Sequence, residues 1–338
     1  MGQSYFSGSN SGEGFRNYFD GIVPAWNRLT RFFMIKGGPG VGKSTLMKRV
    51  AAKAEEAGEE VERFYCSGDP DSLDGVRLVK RGIVFADATS PHAMDPQFPG
   101  AVEEIVNLGE QIERNRIIRH RDEAERLTRE NKVSYRRGYA FLRAAKALEE
   151  ERYREIADCA DGIKIKKQAK DIMERIGCEE GEEKRRLFLD ALSCKGRISF
   201  AKGICEGNRV YRILGEEKDV ITDILAKEIL SGRKELFCSP LCPERVKHML
   251  LRDREFFLTT DSGTEGIVLF ASDYLKKECH VLAGRYAEEV RRLEDMAMDC
   301  FKECKRIHDG LEDIYRECLD FSAITERTEQ LLDLLWEL

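Results

Sequence analysis

The sequence predicts an α/β fold written as two tandem copies of one P-loop-type unit, each a parallel sheet with crossover helices followed by a helical hairpin or bundle. Three observations in the 338 residues predict it. Short apolar runs alternate with helical patterns from about residue 14 to 88, as in a parallel sheet built from strand, helix and strand. A second alternating region repeats the order of the first. Long stretches rich in Glu, Arg, Lys, Ala and Leu, and poor in Gly, follow both.

In chain order, the first strands are expected at 31–36 (RFFMIK), 61–66 (VERFYC) and 82–87 (GIVFAD). Between the first two, residues 43–57 are rich in Ala, Lys, Met and Glu and stop near Gly58, which reads as a helix with its terminating glycine. From about 102 to 192, Phe141, Ala145, Leu148 and Ile156 recur at helical spacing without a sustained heptad, so a helical hairpin or bundle is expected rather than a long coiled coil. The repeat then begins. NRVYRILG at 208–215 matches NRLTRFFMIKG at 27–37 with three residues deleted. KELFCSPLCPERV at 234–246 matches 61–73, aligning Pro243 with Pro70 and Glu244 with Asp71. EFFLTTDS at 255–262 falls on the third strand, and helices are expected again from about 273 to 338. The domain reading is a first half at 1–195, with its helical extension at about 102–192, and a second half at 196–338.

Gly37 to Ser44 satisfy G-x-x-x-x-G-K-[ST] in the required context, after an apolar strand and before a helix. Gly37, Gly38, Pro39, Gly40, Val41 and Gly42 form a loop whose glycines let successive N–H groups turn inward as an anion nest, at the positive end of the following helix. Lys43 is expected on the β- and γ-phosphates, Ser44 on Mg²⁺ and Thr45 near the α-phosphate. The second copy has lost this loop. After Gly215 it runs EEKDVITDI, which puts Val220 in place of Gly42 and Ile221 in place of Lys43.

A Mg²⁺-bound triphosphate also requires a carboxylate at the end of a neighbouring strand, and Asp87, closing IVFAD, is the expected metal carboxylate. No Glu follows it, so the sequence lacks the usual base of fast motor-type hydrolysis. Open α/β sheets bind ligands beyond the carboxyl ends of their strands. That rule places Asp69 and Asp71 after the second strand, and Thr89 and His92 after the third, where a base or a γ-phosphate sensor would sit. The alternative for Asp69 and Asp71 is capping of a short helix beginning DPDSLD, and for His92 a turn.

Composition narrows the partners. The 56 Lys and Arg against 62 Asp and Glu leave a net charge of −6, without the basic excess of a dedicated nucleic-acid binder. The N-terminal residues MGQSYFSGSNSGEG lack the basic and apolar regions of a secretory signal, and no apolar run is long enough to span a membrane. A cytoplasmic location with reduced thiols is the expectation for the eleven cysteines. Cys238 and Cys242 near His248, and Cys300 and Cys304 near His308, do not have the CxxC spacing of zinc sites.

With these residues, the chain resembles a family of uncharacterised bacterial tandem-repeat P-loop ATPases. The resemblance rests on NYFDGI, KGGPGVGKSTLMK, YCSGDPDSLDGV, ADATSPHAMDP, PGAVEEIVNLGE and the second copy. It implies the fold and ATP as a ligand, while Mg²⁺ follows from the reading of Ser44 and Asp87. In such proteins both halves often carry a phosphate loop, whereas only the first does here. The expected function is therefore a slow ATPase or ATP-driven switch with one phosphate site, its helical regions reaching an unidentified protein partner. A small-molecule or nucleotide kinase and a non-catalytic ATP-stabilised scaffold are the alternatives.

Overall fold

The computed structural model describes residues 2–23, 28–177, 184–230, 233–277 and 283–337; Asn27, where the repeat match starts, lies outside them. The first unit runs β1 (Gln3–Phe6), β2 (Gly8–Ser11), β3 (Gly14–Asn17), β4 (Arg31–Lys36), α1 (Lys43–Glu56), β5 (Val61–Tyr65), β6 (Leu73–Leu78), β7 (Ile83–Asp87) and β8 (Glu103–Asn107), then the helices α2 (Arg114–Ile117), α3 (Arg121–Cys159) and α4 (Gly162–Ile176). The second runs β9 (Lys184–Leu187), β10 (Asp190–Ser193), β11 (Gly196–Ser199), α5 (Ala201–Ile204), β12 (Arg209–Leu214), α6 (Lys218–Glu228), β13 (Lys234–Cys238), β14 (Val246–Leu251), β15 (Phe256–Thr259), β16 (Ile267–Phe270), α7 (Ala283–Glu317) and α8 (Phe321–Glu337).

The two six-stranded sheets have one topology, β1-β5-β6-β7-β4-β8 and β9-β13-β14-β15-β12-β16. Within each, the third strand, β6 or β14, is antiparallel to both neighbours and the other pairings are parallel. The α/β class and the duplication thus stand, with mixed sheets where all-parallel ones were expected. β6 falls where DPDSLD reads as a helix start, and β8 inside the stretch that composition reads as helical. Pairing with β7 and β4 decides both segments, overriding local preference. The second unit opens at β9, so a boundary at 195 would pass through the β10–β11 hairpin. That hairpin repeats β2–β3 down to its turn. Ser11 Oγ donates to Gly14 O at 2.7 Å, and Ser193 Oγ donates to Gly196 O at 2.8 Å.

The units meet edge to edge about a pseudo-twofold axis, where Phe6 N donates to Phe188 O at 2.9 Å and Phe188 N to Phe6 O at 3.0 Å. Their helical tails are exchanged. The face of α1 carrying Leu46, Met47, Val50, Ala51 and Ala54, spaced for one side of a helix, is covered by Leu331, Leu332 and Leu335 of α8. Reciprocally, Ile165, Ala169 and Ile172 of α4 cover Ile221 and Leu225 of α6. The long helices α3 and α7 pack on each other, close enough that a Cβ on Gly138 would lie 2.7 Å from the Phe301 ring. The helical extension of each unit therefore packs against the other unit, not as a separate hairpin.

Among the described residues eight cysteines are free thiols and Cys159 is in a disulfide, which departs from the expectation of reduced thiols throughout. Among the described residues no helix is long and apolar enough to cross a membrane.

Candidate functional site

The glycine loop joins the carboxyl end of β4 to the first turn of α1. Gly37, Gly40 and Gly42 have φ of 151°, 69° and 91°, and Gly42 is the N-cap of α1, so the chain turns through conformations that side chains rarely adopt. Val41 is buried beneath the loop, and Thr45 is exposed on the first turn of α1. Lys43 folds back over the loop, its Nζ donating to Gly37 O at 3.0 Å and Gly38 O at 2.9 Å, with Asp87 Oδ2 at 3.7 Å. Ser44 Oγ accepts from Leu73 N at 2.9 Å, which ties the start of α1 to β6. Asp87 Oδ1 accepts from Thr89 N at 2.8 Å and from Thr89 Oγ1 at 2.5 Å, leaving Oδ2 toward Lys43.

The remaining predicted acids lie in other contacts. Asp69 Oδ1 accepts from Asp71 N at 3.2 Å, and Oδ2 lies 3.3 Å from Lys305 Nζ on α7. Asp71 is exposed and paired with Lys195 of the second unit's hairpin. The short helix expected after Asp69 is a turn, closed by Ser72 N donating to Asp69 O at 2.9 Å. His92 does close a turn, its N donating to Thr89 O at 2.6 Å, and it is also buried, its ring against Phe15 and Phe19, with Nε2 3.4 Å from Asp74 Oδ2.

Asp74 is the site residue that motif reading passed over. It is 5 % exposed, and burial above all pushes its carboxyl up to about 6, with Asp87 adding to the rise and His92 and Lys43 opposing it. Asp74 Oδ2, His92 Nδ1 and Ser67 Oγ are buried and make no hydrogen bond among the described residues, although Asp74 Oδ2 faces His92 Nε2 at 3.4 Å and the Cys66 thiol bonds to the Asp74 carboxyl. Buried polar atoms left unpaired in this way call for a partner.

The end of α7, contributed by the second unit, lies on the loop. A Cβ on Gly38 would fall 2.8 Å from the Tyr315 ring, and one on Gly40 would fall 2.9 Å from Glu312 O. Burial, with Lys305 and Lys43 adding to it, lowers the His308 imidazole below its ordinary value against the pull of Glu312, so α7 lies within the field of the loop lysine. His308, Asp309 and Glu312 bring ligand-type atoms within 4.8 Å of one another, although Lys305 pairs with Asp309 and Arg316 with Glu312. The helical periodicity of α7 was legible in the sequence; its crossing to the other unit's loop was not.

The second unit shows what erosion leaves. α6 begins at Lys218, not near Ile221, and Lys218 Nζ donates to Thr260 O at 2.9 Å. Strand register aligns Thr260 with Asp87, so Lys218 occupies the place of Lys43 and corrects the alignment of Ile221 to it. The connection from β12 to α6 has shrunk to Gly215, Glu216 and Glu217. Glu217 and Asp219 put acids at the helix N-terminus, where they interact favourably with its dipole without a ligand.

A family model described as "Nephrocystin 3, N-terminal" matches residues 23–123, a stretch that holds the glycine loop, Asp74, Asp87 and the strands from β4 to β8. No curated protein and no solved structure matches the chain.

Proposed function

We propose that the chain is an Mg²⁺-dependent ATP-binding protein of the tandem-repeat P-loop ATPase kind, acting as a slow ATPase or ATP-driven switch. The first unit would hold its one phosphate site, and the second would act as a pseudo-subunit. The observation that carries this reading is the loop itself: a glycine turn with three positive φ angles, seated on the N-terminus of α1, with Lys43 inside it and Asp87 beside Lys43. The match over residues 23–123 supports an NTPase-like region at the same place.

The residues fit the ligand. The loop N–H groups and Lys43 would hold the β- and γ-phosphates, and Ser44 and Asp87 would hold Mg²⁺, which when bound supplies positive charge against the phosphates. Thr89 fixes the Asp87 carboxylate through two hydrogen bonds. Ala88 follows Asp87, so the usual hydrolytic Glu is missing there, which favours slow turnover. Contact of Tyr315 and Glu312 with the loop favours a switch, because a loop reshaped around phosphate must either move α7 or be held by it. Phosphoryl transfer is less well supported, since Asp69 and Asp71, which would activate an acceptor, are tied to Lys305 and Lys195. ATP is preferred over GTP because no guanine-reading N/TKxD run follows β7.

The test is equilibrium binding of a fluorescent ATP analogue with Mg²⁺. Lys43→Ala is expected to lower affinity at least a hundredfold while Lys218→Ala changes it less than threefold. Equal affinity of Lys43→Ala and the wild type would overturn the reading.

A further inference from the structure

The antiparallel register of β6 and β7 sets Gly75 opposite Ala86, so Asp74 stands opposite Asp87 as the ladder leaves the sheet. Asp74 is also the extra residue of a β-bulge, because Phe64 pairs with Gly75 and Tyr65 with Leu73. Bulges next to ligand sites re-aim a side chain. Like charges directly opposite across two strands repel, and here one of the pair is buried with Oδ2 accepting no hydrogen bond. Lys43 is the one cation paired with the Asp87 carboxylate among the described residues, and its amino group is the one a phosphate would draw away. The pair then requires a positive charge of its own.

The second unit serves as an internal control. Its bulge recurs, with Phe237 opposite His248 and Cys238 opposite Val246, and the bulged residue is Lys247. The residue aligned with Asp87 is Thr260. Both carboxylates are thus replaced in the unit that has also lost the glycine loop. In their place the ammonium of Lys247 lies 3.0 Å from Asp190, a carboxylate whose counterpart in β2 is Gly8. One unit presents two facing acids; the other carries a fixed cation with its own acid.

We infer that Asp74 is the second carboxylate of the divalent-cation site in the first unit, facing the cation from the strand opposite Asp87. This rests on the nucleotide-binding reading above. The cation would lie between Asp74, Asp87 and Ser44, and the hydrogen bond from Leu73 N to Ser44 Oγ joins the two sides of that position. His92, 3.4 Å from Asp74, is a positioning residue that holds the carboxyl group toward it.

The experiment titrates Mn²⁺ into the full chain with saturating ATP, reading free Mn²⁺ by electron paramagnetic resonance and metal-free ATP binding by fluorescence. Asp74→Asn and Asp87→Asn are both expected to weaken Mn²⁺ binding tenfold to a hundredfold, with metal-free ATP affinity within threefold of wild type. Asp74→Glu keeps the charge but adds volume, and is expected to bind Mn²⁺ more tightly than Asp74→Asn while melting at a lower temperature. A residue that only packs would show Asn as the better replacement in both measurements. Mn²⁺ binding by Asp74→Asn equal to wild type, alongside a loss in Asp87→Asn, overturns the inference and leaves the phosphate site intact. Wild-type protein that binds no ATP at all overturns both.

Discussion

At Gly40 two costs meet in one residue: a φ of 69°, and a Cβ position 2.9 Å from the backbone oxygen of Glu312. Left-handed backbone costs a side chain about 1 kcal/mol, and a clash against backbone adds to that because α7 must shift as a unit. Gly58 isolates the first cost, with a φ of 78° and nothing within 4 Å of its would-be Cβ. Gly58→Ala is therefore expected to lower stability by about 1 kcal/mol and Gly40→Ala by about 3 kcal/mol, as read by urea denaturation. Equal losses would mean that α7 does not press on the loop. The same residue scale explains why the loop was legible at once. Its signal is local and each glycine has a backbone reason, whereas the importance of Asp74 depends on which residue stands opposite it in another strand.

At the scale of elements, β4, α1, β5, β7, β12, β13 and β15 were readable because their apolar spacing is set by their own burial. The missed strands have other origins. β1 is polar at its start and becomes a strand by pairing with β5, and β8 opens on two glutamates, of which Glu103 is buried and accepts from Gln97 N and Phe98 N, while Ile105 and Asn107 are its exposed residues at the sheet edge. In the second unit, β10, β14 and β15 are pinned by one buried chain of contacts: Asp190 Oδ2 lies 2.8 Å from His248 Nε2, and His248 Nδ1 lies 2.7 Å from Thr259 Oγ1. Burial alone would raise the Asp190 carboxyl; Lys247 and His248, with Ser199 adding a hydrogen bond, hold it far below the ordinary carboxylate range. A depressed value means that the folded chain binds fewer protons than the unfolded one in acid. The stability contributed by this pairing is thus present above about pH 4 and lost as pH falls below it. Asp190→Asn is expected to cost about 3 kcal/mol at pH 7, since it leaves Lys247 without its partner, and to flatten the fall in stability between pH 5 and pH 3. Parallel pH profiles for wild type and variant would remove Asp190 from that role.

For the whole molecule, the exchange of helical tails makes the first sheet depend on residues from the far end of the chain and the second on the helix that closes the first unit. The loop of the first unit sits on α1, α1 is covered by α8, and α7 lies on the loop, so the proposed nucleotide site is completed by the last third of the sequence. Two independently folding domains, as a cut in mid-chain would suppose, are at odds with this interlocking; one cooperative unfolding transition follows from it. The two tails also provide a matched pair of perturbations. Leu332 of α8 and Ile172 of α4 are both buried, and truncating either to Ala removes comparable packing at a cost of about 2–5 kcal/mol. Leu332→Ala loosens the support of α1 and is expected to weaken ATP-analogue binding about tenfold, although residue 332 is remote in sequence from the loop. Ile172→Ala loosens α6, which carries no phosphate loop, and is expected to leave binding within twofold while lowering the melting temperature by a similar amount. Calorimetry and nucleotide titration on the same two variants separate the cases: equal losses of affinity would show that binding follows global stability, and an unequal pair would show that it follows the tail lying on α1.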